Sequence, residues 1–352
     1  MGMHPKHDRS AEIANFYALL FEDDKASALA FLQAQGLIDA AALPRWQALC
    51  EAWQGAGIAR AEACDYFRAA LAARPEDGVL LPARRTLQII ANYRAAIARF
   101  GARFSQVEDL RGKVALDFGA GVYSPLTASA VLYCNGFERA YAFEPFPIHP
   151  TFVQTAWLTL INGMIDQPAP YLFSGIAPDE FLARARSLLL PGLSDALQAF
   201  ARRETVSLAL GGVLLVSDMA ALPRGGIDVH FSNSVLEHVD DIGLYFDRLA
   251  ACAAPGGQGF HIVDFCDHRH YDDPRLHPME KYYDGVCHEI NGLLPAAMEA
   301  AIAESGWQLA KQTVQTVPAA YFEREARTMV SPYALAGMAE LEQYVNYYQV
   351  TR

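Results

Sequence analysis

One segment of the chain combines a carboxylate with two glycines in a spacing that suits ligand binding. The apolar residues 114–116 lead to Asp117, and Gly119 and Gly121 follow closely. Glycine lets a loop turn through positive φ and lets a ligand approach the backbone, so this segment predicts a strand that feeds a binding loop. A second apolar run ends at Glu144, at a distance along the chain that fits one helix and the next parallel strand. Both carboxylates are therefore expected at the carboxyl edge of one sheet.

The charge of this loop indicates what it binds. A dinucleotide fingerprint requires a third glycine and a pyrophosphate at the helix N-terminus, but this chain has Ser124 in place of that glycine. Asp117 would repel a pyrophosphate and attract a ligand that carries an ammonium and a sulfonium. S-adenosylmethionine is such a ligand, and Glu144 can accept hydrogen bonds from both of its ribose hydroxyls. The pattern disfavours a nicotinamide-dependent dehydrogenase, which stays open as an alternative.

Three further segments extend the pattern along the chain. Residues 213–219 include an apolar run followed by Asp218, residues 227–239 contain a strand and the loop after it, and residues 260–265 follow a Pro-Gly-Gly turn. The order and spacing of all five segments resemble a class I S-adenosylmethionine-dependent methyltransferase over residues 105–350. The resemblance implies an α/β fold with a Rossmann-like, doubly wound, mostly parallel sheet of seven strands and an antiparallel strand near one edge. It also implies that Asp218 holds the adenine amino group.

The resemblance further implies which residues contact the cofactor. They lie at the strand ends and in the loops that follow: Asp117, Gly119, Ala120, Gly121, Glu144, Pro145, Asp218, Met219, Asn233, Ser234 and Val235. Tyr93 joins this set, because a helix is predicted over 81–100 and such a helix often lies over the cofactor in the family. Ordinary interdomain packing is the alternative role for Tyr93.

Three residues are candidates for the acceptor side of the reaction. Methyl transfer from a sulfonium mainly requires a nucleophile held in line with the methyl group, and a base only where the acceptor must lose a proton. His238, Asp264 and His268 are placed after the fourth and fifth predicted strands. His261 is expected on the opposite face from Asp264, because their positions differ by an odd number. For His238 the alternative is structural, with the Glu237–His238 pair fixing the segment through hydrogen bonds.

The sequence does not favour a metal site. Carboxylates and imidazoles are frequent between residues 264 and 288, but neither a His-Glu-x-x-His helix nor a paired-cysteine site is present there. Methyltransferases that bind magnesium near a Glu-His pair typically have another glutamate three residues earlier, where this chain has Ser234. No metal is therefore expected.

Composition narrows the class of protein. The 352 residues are 52% hydrophobic and 19% charged, enough for one large core and a smaller one. The formal net charge of −12 argues against nucleic acid as a partner, because that affinity depends on Lys and Arg neutralising phosphates. The six cysteines form no Cys-x-x-Cys pair, and neither a membrane-length apolar run nor a basic leader is present. We therefore expect a cytoplasmic protein with free thiols and no membrane partner.

Two domains and one insertion are predicted. Residues 1–104 lack a convincing strand and predict an all-helical domain of about five helices, whereas residues 105–352 form the domain that resembles methyltransferases. The 73 residues between Glu144 and Asp218 exceed what one helix and two short connections need, so a helical insertion is expected over about 150–212. Because it leaves the carboxyl edge of the sheet, it can form a lid over the substrate, with core packing as the alternative. Helical composition occurs at 151–163, 178–190 and 193–210.

These expectations combine into a methyltransferase that acts on an O, N or C nucleophile of a small molecule, for example in specialised metabolism. Two alternatives remain open. Methylation of a protein or RNA would require an open basic groove near Gly119 and Asn233, and a non-catalytic adenosyl-binding or scaffold protein would keep the same fold. The sequence leaves the acceptor and the formation of a homodimer undecided.

Overall fold

The computed structural model describes residues 81–352 except 102, 103, 105, 123, 288, 324 and 326, together with residues 30, 33 and 34. Most of the predicted N-terminal domain therefore lies outside the described residues. Its last helix is described, and α1 spans Leu81–Phe100 as predicted.

Strands and helices alternate along the rest of the described chain. The strands are β1 (Val114–Phe118), β2 (Arg139–Phe143), β3 (Ser207–Leu210), β4 (Val213–Val216), β5 (Ile227–Asn233), β6 (Ala253–Asp264), β7 (Gln308–Thr316) and β8 (Gln343–Thr351). The helices after α1 are α2 (Val107–Leu110), α3 (Thr127–Cys134), α4 (Pro150–Asp166), α5 (Pro178–Ser187), α6 (Leu193–Ala201), α7 (Ile242–Cys252), α8 (Arg269–Asp272), α9 (Lys281–Asp284), α10 (Pro295–Glu304), α11 (Ala319–Glu323) and α12 (Met338–Leu341). Short 3-10 helices occur at Ala169–Tyr171, Met219–Ala221, Leu236–His238 and Tyr333–Leu335.

The described strands form one sheet in the order β3-β4-β2-β1-β5-β6-β8-β7. Strands β4, β2, β1, β5 and β6 pair in parallel, so their carboxyl ends share one edge. β8 pairs antiparallel with both β6 and β7. The predicted antiparallel strand near one edge is therefore confirmed, and it is the last strand of the chain.

The sheet has eight strands and not the seven that were predicted. The additional strand, β3, pairs antiparallel with β4 at the edge of the sheet. The sequence predicted a helix over 193–210, but α6 ends at Ala201. The reason is a two-residue Gly211-Gly212 connection, which turns the chain into a tight hairpin and gives β3 a partner.

The sheet divides the core in two, because successive strand residues face opposite sides. Ala115 of β1 belongs to the core cluster that includes residues of α1 and α3, and Leu116 belongs to the cluster that includes residues of α7. The insertion after β2 joins the first cluster through Trp157, Phe181 and Phe200, all of which are buried. This packing supports the structural role for these aromatic side chains.

The described residues also bear on a membrane span and on the state of the cysteines. None of the described helices combines the length and the apolar character that a membrane span requires. Cys134, Cys252, Cys266 and Cys287 are free thiols.

Candidate functional site

Four neighbouring parallel strands bring the predicted cofactor residues to one edge of the sheet. Asp218, Glu144, Asp117 and Asn233 lie at or just beyond the carboxyl ends of β4, β2, β1 and β5. The strand order reverses at β1, and ligands of open α/β sheets bind at such a switch point. The structure therefore groups these four side chains where a ligand is expected.

The loop after β1 has two glycines in the left-handed region. Gly119 has φ +66° and Gly121 has φ +88°. A Cβ on Gly119 would lie 2.4 Å from Cγ1 of Val235, whereas a Cβ on Gly121 would meet no atom of the described chain within 4 Å. Gly119 thus allows the loops after β1 and β5 to touch, and Gly121 leaves open space beside the backbone.

Glu144 holds this loop in place. Its side chain is 3% exposed. Oε2 accepts a hydrogen bond from the Gly121 N–H at 2.7 Å, and Oε1 accepts one from the Phe146 N–H at 3.0 Å. Burial raises the pKa of Glu144, and these two bonds act against that shift. Each carboxylate oxygen keeps a lone pair for a further donor.

Asp117 is buried beside Tyr93. Its carboxylate is 4% exposed, and Oδ1 accepts a hydrogen bond from the Tyr93 hydroxyl. Burial raises the pKa of Asp117 to about 7; the Tyr93 hydrogen bond lowers it and the charge of Glu144 raises it. Tyr93 also stacks on Phe231 with ring centroids 4.7 Å apart. Tyr93 therefore both packs in the core and contacts the acid at the tip of β1.

A second contact from α1 reaches the tip of β5. The Asn92 amide donates a hydrogen bond to Oδ1 of Asn233 at 2.7 Å. Sequence reasoning missed Asn92, and its position next to Tyr93 was the available signal. Through this neighbouring pair, α1 is hydrogen-bonded to the ends of both β1 and β5.

The remaining predicted cofactor residues lie in the loops of the same edge. Asp218 is exposed, and its Oδ1 caps the 3-10 helix that begins at Met219 by accepting the Ala220 N–H at 2.9 Å. Ser234 has a left-handed backbone with φ +53°. Ala120, Pro145 and Val235 are half-buried beside these residues in sequence.

The three residues predicted for the acceptor side also come together. The rings of His238 and His268 lie 4.9 Å apart between centroids. His238 donates from Nδ1 to the Glu289 backbone carbonyl. Asp264 ends β6 and accepts a hydrogen bond from the Tyr271 hydroxyl. Burial, and after it the nearby His238, lower the pKa of His268.

Glu237 and Lys281 are buried ionisable groups that sequence reasoning did not assign to this side. Each is 2% exposed. Burial raises the pKa of Glu237 well above its usual range and lowers the pKa of Lys281. The sequence suggests only a structural role for Glu237, as half of a Glu-His pair, because its approach to His268 depends on the pairing of β5 with β6. A charged residue beside a strand end was the only signal available.

No protein-family model and no curated protein matches the sequence. Phosphoethanolamine N-methyltransferase 2 from Haemonchus contortus, in complex with S-adenosyl-L-methionine, aligns at 13% identity and a TM-score of 0.40, over 76% of this chain and 52% of that chain. The chain thus spans about half the length of that protein.

Two further solved structures show the range of matches. An S-adenosylmethionine-dependent methyltransferase from Mesorhizobium loti aligns at 13% identity and a TM-score of 0.38, over 76% of this chain and 100% of that chain. The 16S rRNA (adenine(1408)-N(1))-methyltransferase from Catenulisporales acidiphilia aligns at 13% identity and a TM-score of 0.32, over 70% of this chain and 90% of that chain. By its own strand order and its antiparallel β8, the described chain has the class I S-adenosylmethionine-dependent methyltransferase fold, with β3 added at one edge.

Proposed function

We propose that this protein is an S-adenosylmethionine-dependent methyltransferase that methylates a small molecule. One observation carries the proposal: two buried carboxylates, Asp117 and Glu144, flank a glycine loop at the switch point of the sheet, beside the open space at Gly121. A buried acid with a raised pKa favours a cationic ligand, because the cation replaces the stabilisation that water no longer supplies. A pyrophosphate would meet the same two carboxylates as like charges.

The residues at this edge fit S-adenosylmethionine group by group. Asp117 would bind the ammonium, Glu144 the ribose hydroxyls and Asp218 the adenine amino group. Gly121 would let the ligand lie against the loop, since nothing of the described chain occupies that space. When bound, the cofactor supplies an electrophilic methyl group. The side chains described here bind it and fix its direction.

The acceptor would lie beyond β5 and β6, where His238, Asp264 and His268 meet. The main contribution of these residues is to hold the nucleophile behind the methyl group, because positioning supplies much of the rate in such a displacement. A hydroxyl acceptor must also lose a proton. The lowered pKa of His268 leaves its imidazole neutral near pH 7 and able to take that proton.

Charge favours a small molecule over nucleic acid as the acceptor. The formal net charge is −12, and the predicted cofactor edge carries Asp117, Glu144 and Asp218. A polyanionic substrate would be repelled by such an edge unless a basic groove compensated for it. The proposal therefore places an uncharged or cationic acceptor at this site.

Isothermal titration calorimetry with S-adenosylmethionine tests the cofactor assignment. Asp117→Asn and Glu144→Gln each remove a charged hydrogen-bonding group while keeping its shape. We expect each to weaken binding by about 1–3 kcal/mol, or roughly 5- to 150-fold. Glu204→Gln is the matched control, because Glu204 is an exposed acid whose carboxylate pairs with Arg202 at 2.7 Å. Its affinity should equal that of the wild type.

The outcome that would overturn the assignment is equally specific. Unchanged affinity in both Asp117→Asn and Glu144→Gln would place the ligand elsewhere. Tight binding of NADH with no binding of S-adenosylmethionine would favour the dehydrogenase alternative.

A further inference from the structure

Three potential metal ligands meet on the acceptor side of the sheet. Glu237 and His238 belong to the 3-10 helix after β5, and His268 follows β6. One ligand atom from each side chain lies within 4.8 Å of the other two. Ligand atoms about 2.1 Å from one tetrahedral zinc ion lie about 3.4 Å from each other. Movements that total about 1.5 Å would therefore bring the three into a common coordination shell.

Glu237 contributes an observation that points to a missing partner. Its Oε1 accepts a long hydrogen bond, 3.4 Å from the Asp264 N–H. Its Oε2 is buried and has no hydrogen-bond partner among the described residues. A buried carboxylate oxygen without a partner costs more than an average hydrogen bond contributes, so such atoms call for an explanation.

The hydrogen bonding of His238 suits a metal ligand. Nδ1 donates to the Glu289 carbonyl, which leaves Nε2 as the nitrogen with a free lone pair. Metal-binding histidines commonly use one ring nitrogen for such a backbone carbonyl and the other for the metal, because the hydrogen bond fixes the tautomer. His268 faces this ring.

The surrounding charges balance around the cluster. The charged groups that act on His268 are His238, Asp264, Lys281 and Asp267. Asp267 pairs with Arg269 at 2.6 Å, whereas Asp264 lies directly beside Glu237. The negative charges of the Glu237 and Asp264 carboxylates thus offset the positive charge of the buried Lys281. A divalent cation would therefore not meet a purely cationic environment at this cluster.

We propose that Glu237, His238 and His268 bind a divalent transition-metal ion. A ligand set of two imidazoles and one carboxylate is typical of zinc, iron(II) and their neighbours, and not of magnesium or calcium, which prefer oxygen ligands alone. Three protein ligands leave a coordination position open, as in catalytic sites. In an extension that rests on the proposed function, that position takes an oxygen of the acceptor and lowers its pKa. In that extension the metal ion replaces His268 in the role proposed above: both imidazoles serve as ligands, and the acceptor's proton passes to solvent at the exposed side of His238.

Zinc binding by the full chain tests the site without any cofactor. The protein is dialysed against a chelator and titrated with Zn²⁺ in competition with a chromophoric indicator. We expect one high-affinity equivalent per wild-type chain. Glu237→Gln, His238→Ala and His268→Ala should each weaken it by more than about 10-fold, since even outer partners of a metal site contribute 10- to 100-fold. His270→Ala is the matched control, because its Nδ1 lies 2.8 Å from the Leu276 carbonyl, and it should keep wild-type affinity.

Cobalt absorption identifies the ligands independently. We expect visible bands on addition of Co²⁺ to the wild type that disappear in His268→Ala, while circular dichroism shows that the half-buried position tolerates the change. Zinc bound equally by the wild type and by the Glu237→Gln and His268→Ala variants would overturn the proposal. A wild-type chain that binds no zinc would overturn it as well. Neither result bears on the binding of S-adenosylmethionine, which is measured separately.

Discussion

Gly119 and Gly121 serve different purposes although both have positive φ. An alanine Cβ at 119 would overlap Val235 at 2.4 Å, whereas at 121 it would enter open space. We expect Gly119→Ala to lower the free energy of unfolding by about 2–5 kcal/mol, from backbone strain and overlap together. Gly121→Ala should cost about 1–3 kcal/mol from strain alone.

Gly121→Ala, the variant that loses less stability, is the one expected to lose affinity for the cofactor. Gly121→Ala places a methyl group in the proposed cofactor space, so affinity should fall although most of the stability remains. Urea unfolding and calorimetry measure the two quantities on the same samples. If Gly121→Ala binds S-adenosylmethionine as tightly as the wild type, the space beside Gly121 is not used by the ligand.

The ionisation of Asp117 predicts a pH dependence of binding. Burial raises the pKa of Asp117 to about 7, above its ordinary value of about 3.9. The ammonium of the cofactor is attracted only by the ionised carboxylate, so affinity should increase from about pH 6 to about pH 8. Without ligand, the folded chain binds the proton more tightly than the unfolded chain does. The contribution of Asp117 to stability therefore falls as the pH rises from about 4 to about 7.

Two variants identify the source of this profile. Asp117→Asn should bind with an affinity that no longer changes across this range. Tyr93→Phe removes a hydrogen bond that lowers the pKa of Asp117, so its midpoint should move to higher pH. A flat profile in the wild type, measured by calorimetry at stepped pH, would contradict the role of Asp117.

At the scale of elements, helix α1 shows what sequence can and cannot supply. Its length and composition predicted the helix over 81–100, and the structure confirms it. The partners of Asn92 and Tyr93 could not be predicted, because they lie at the ends of two strands that only the folded sheet brings together. Spacing along one helix carries no information about such contacts.

Strands β5 and β6 bury two histidines side by side. His230 and His261 are fully buried, with ring centroids 4.9 Å apart. His261 bonds to the Ser232 hydroxyl at 2.8 Å, while both ring nitrogens of His230 lack a partner among the described residues. His261 also packs against Phe246, with ring centroids 5.5 Å apart.

This pair predicts loss of stability in acid. Burial lowers the pKa of His230 well below its usual value and the pKa of His261 to about 3, whereas an unfolded histidine titrates near 6.5. Below about pH 6.5 the unfolded chain binds protons that the folded chain does not, so stability falls as the pH falls.

Replacing His230 with leucine removes one such group and its unpartnered nitrogens. We expect the free energy of unfolding of His230→Leu to be near that of the wild type at pH 7. Between about pH 7 and pH 5, the free energy of unfolding should fall by about 1–2 kcal/mol less in the variant than in the wild type. Urea unfolding at the two pH values measures the difference. Equal losses in both proteins would mean that His230 does not contribute to the acid sensitivity.

At the scale of the whole molecule, the sequence predicted the parallel sheet well and its edges less well. Apolar runs that end in Asp117, Glu144 or Asp218 mark strands, and the structure places all three acids at the carboxyl edge of the sheet. The helix predicted over 193–210 is wrong beyond Ala201, because the Gly211-Gly212 turn lets residues 207–210 pair with β4 as β3. Local helix propensity does not reflect the pairing with β4 that stabilises β3.

The proposed acceptor side combines side chains from two loops that are distant in sequence. The sequence predicts His238 and His268 for the acceptor side, and the proposed metal site adds Glu237, whose burial and unpartnered oxygen result from the packing of the loops after β5 and β6. The expectation of no metal rests on ligand spacing within one segment and stays a prediction, whereas the metal site proposed above would combine two segments. A site assembled from two segments leaves no such spacing in the sequence.

In the proposed function, the carboxyl edge of β4, β2, β1 and β5 binds the methyl donor. A crystal structure of the full chain with S-adenosylhomocysteine tests it most directly. We expect the amino group of the ligand at Asp117, its ribose at Glu144 and its adenine at Asp218, with the backbone of Gly121 against the ligand. A ligand bound at any other edge or face of the sheet, with Asp117 still bonded only to Tyr93, would contradict it.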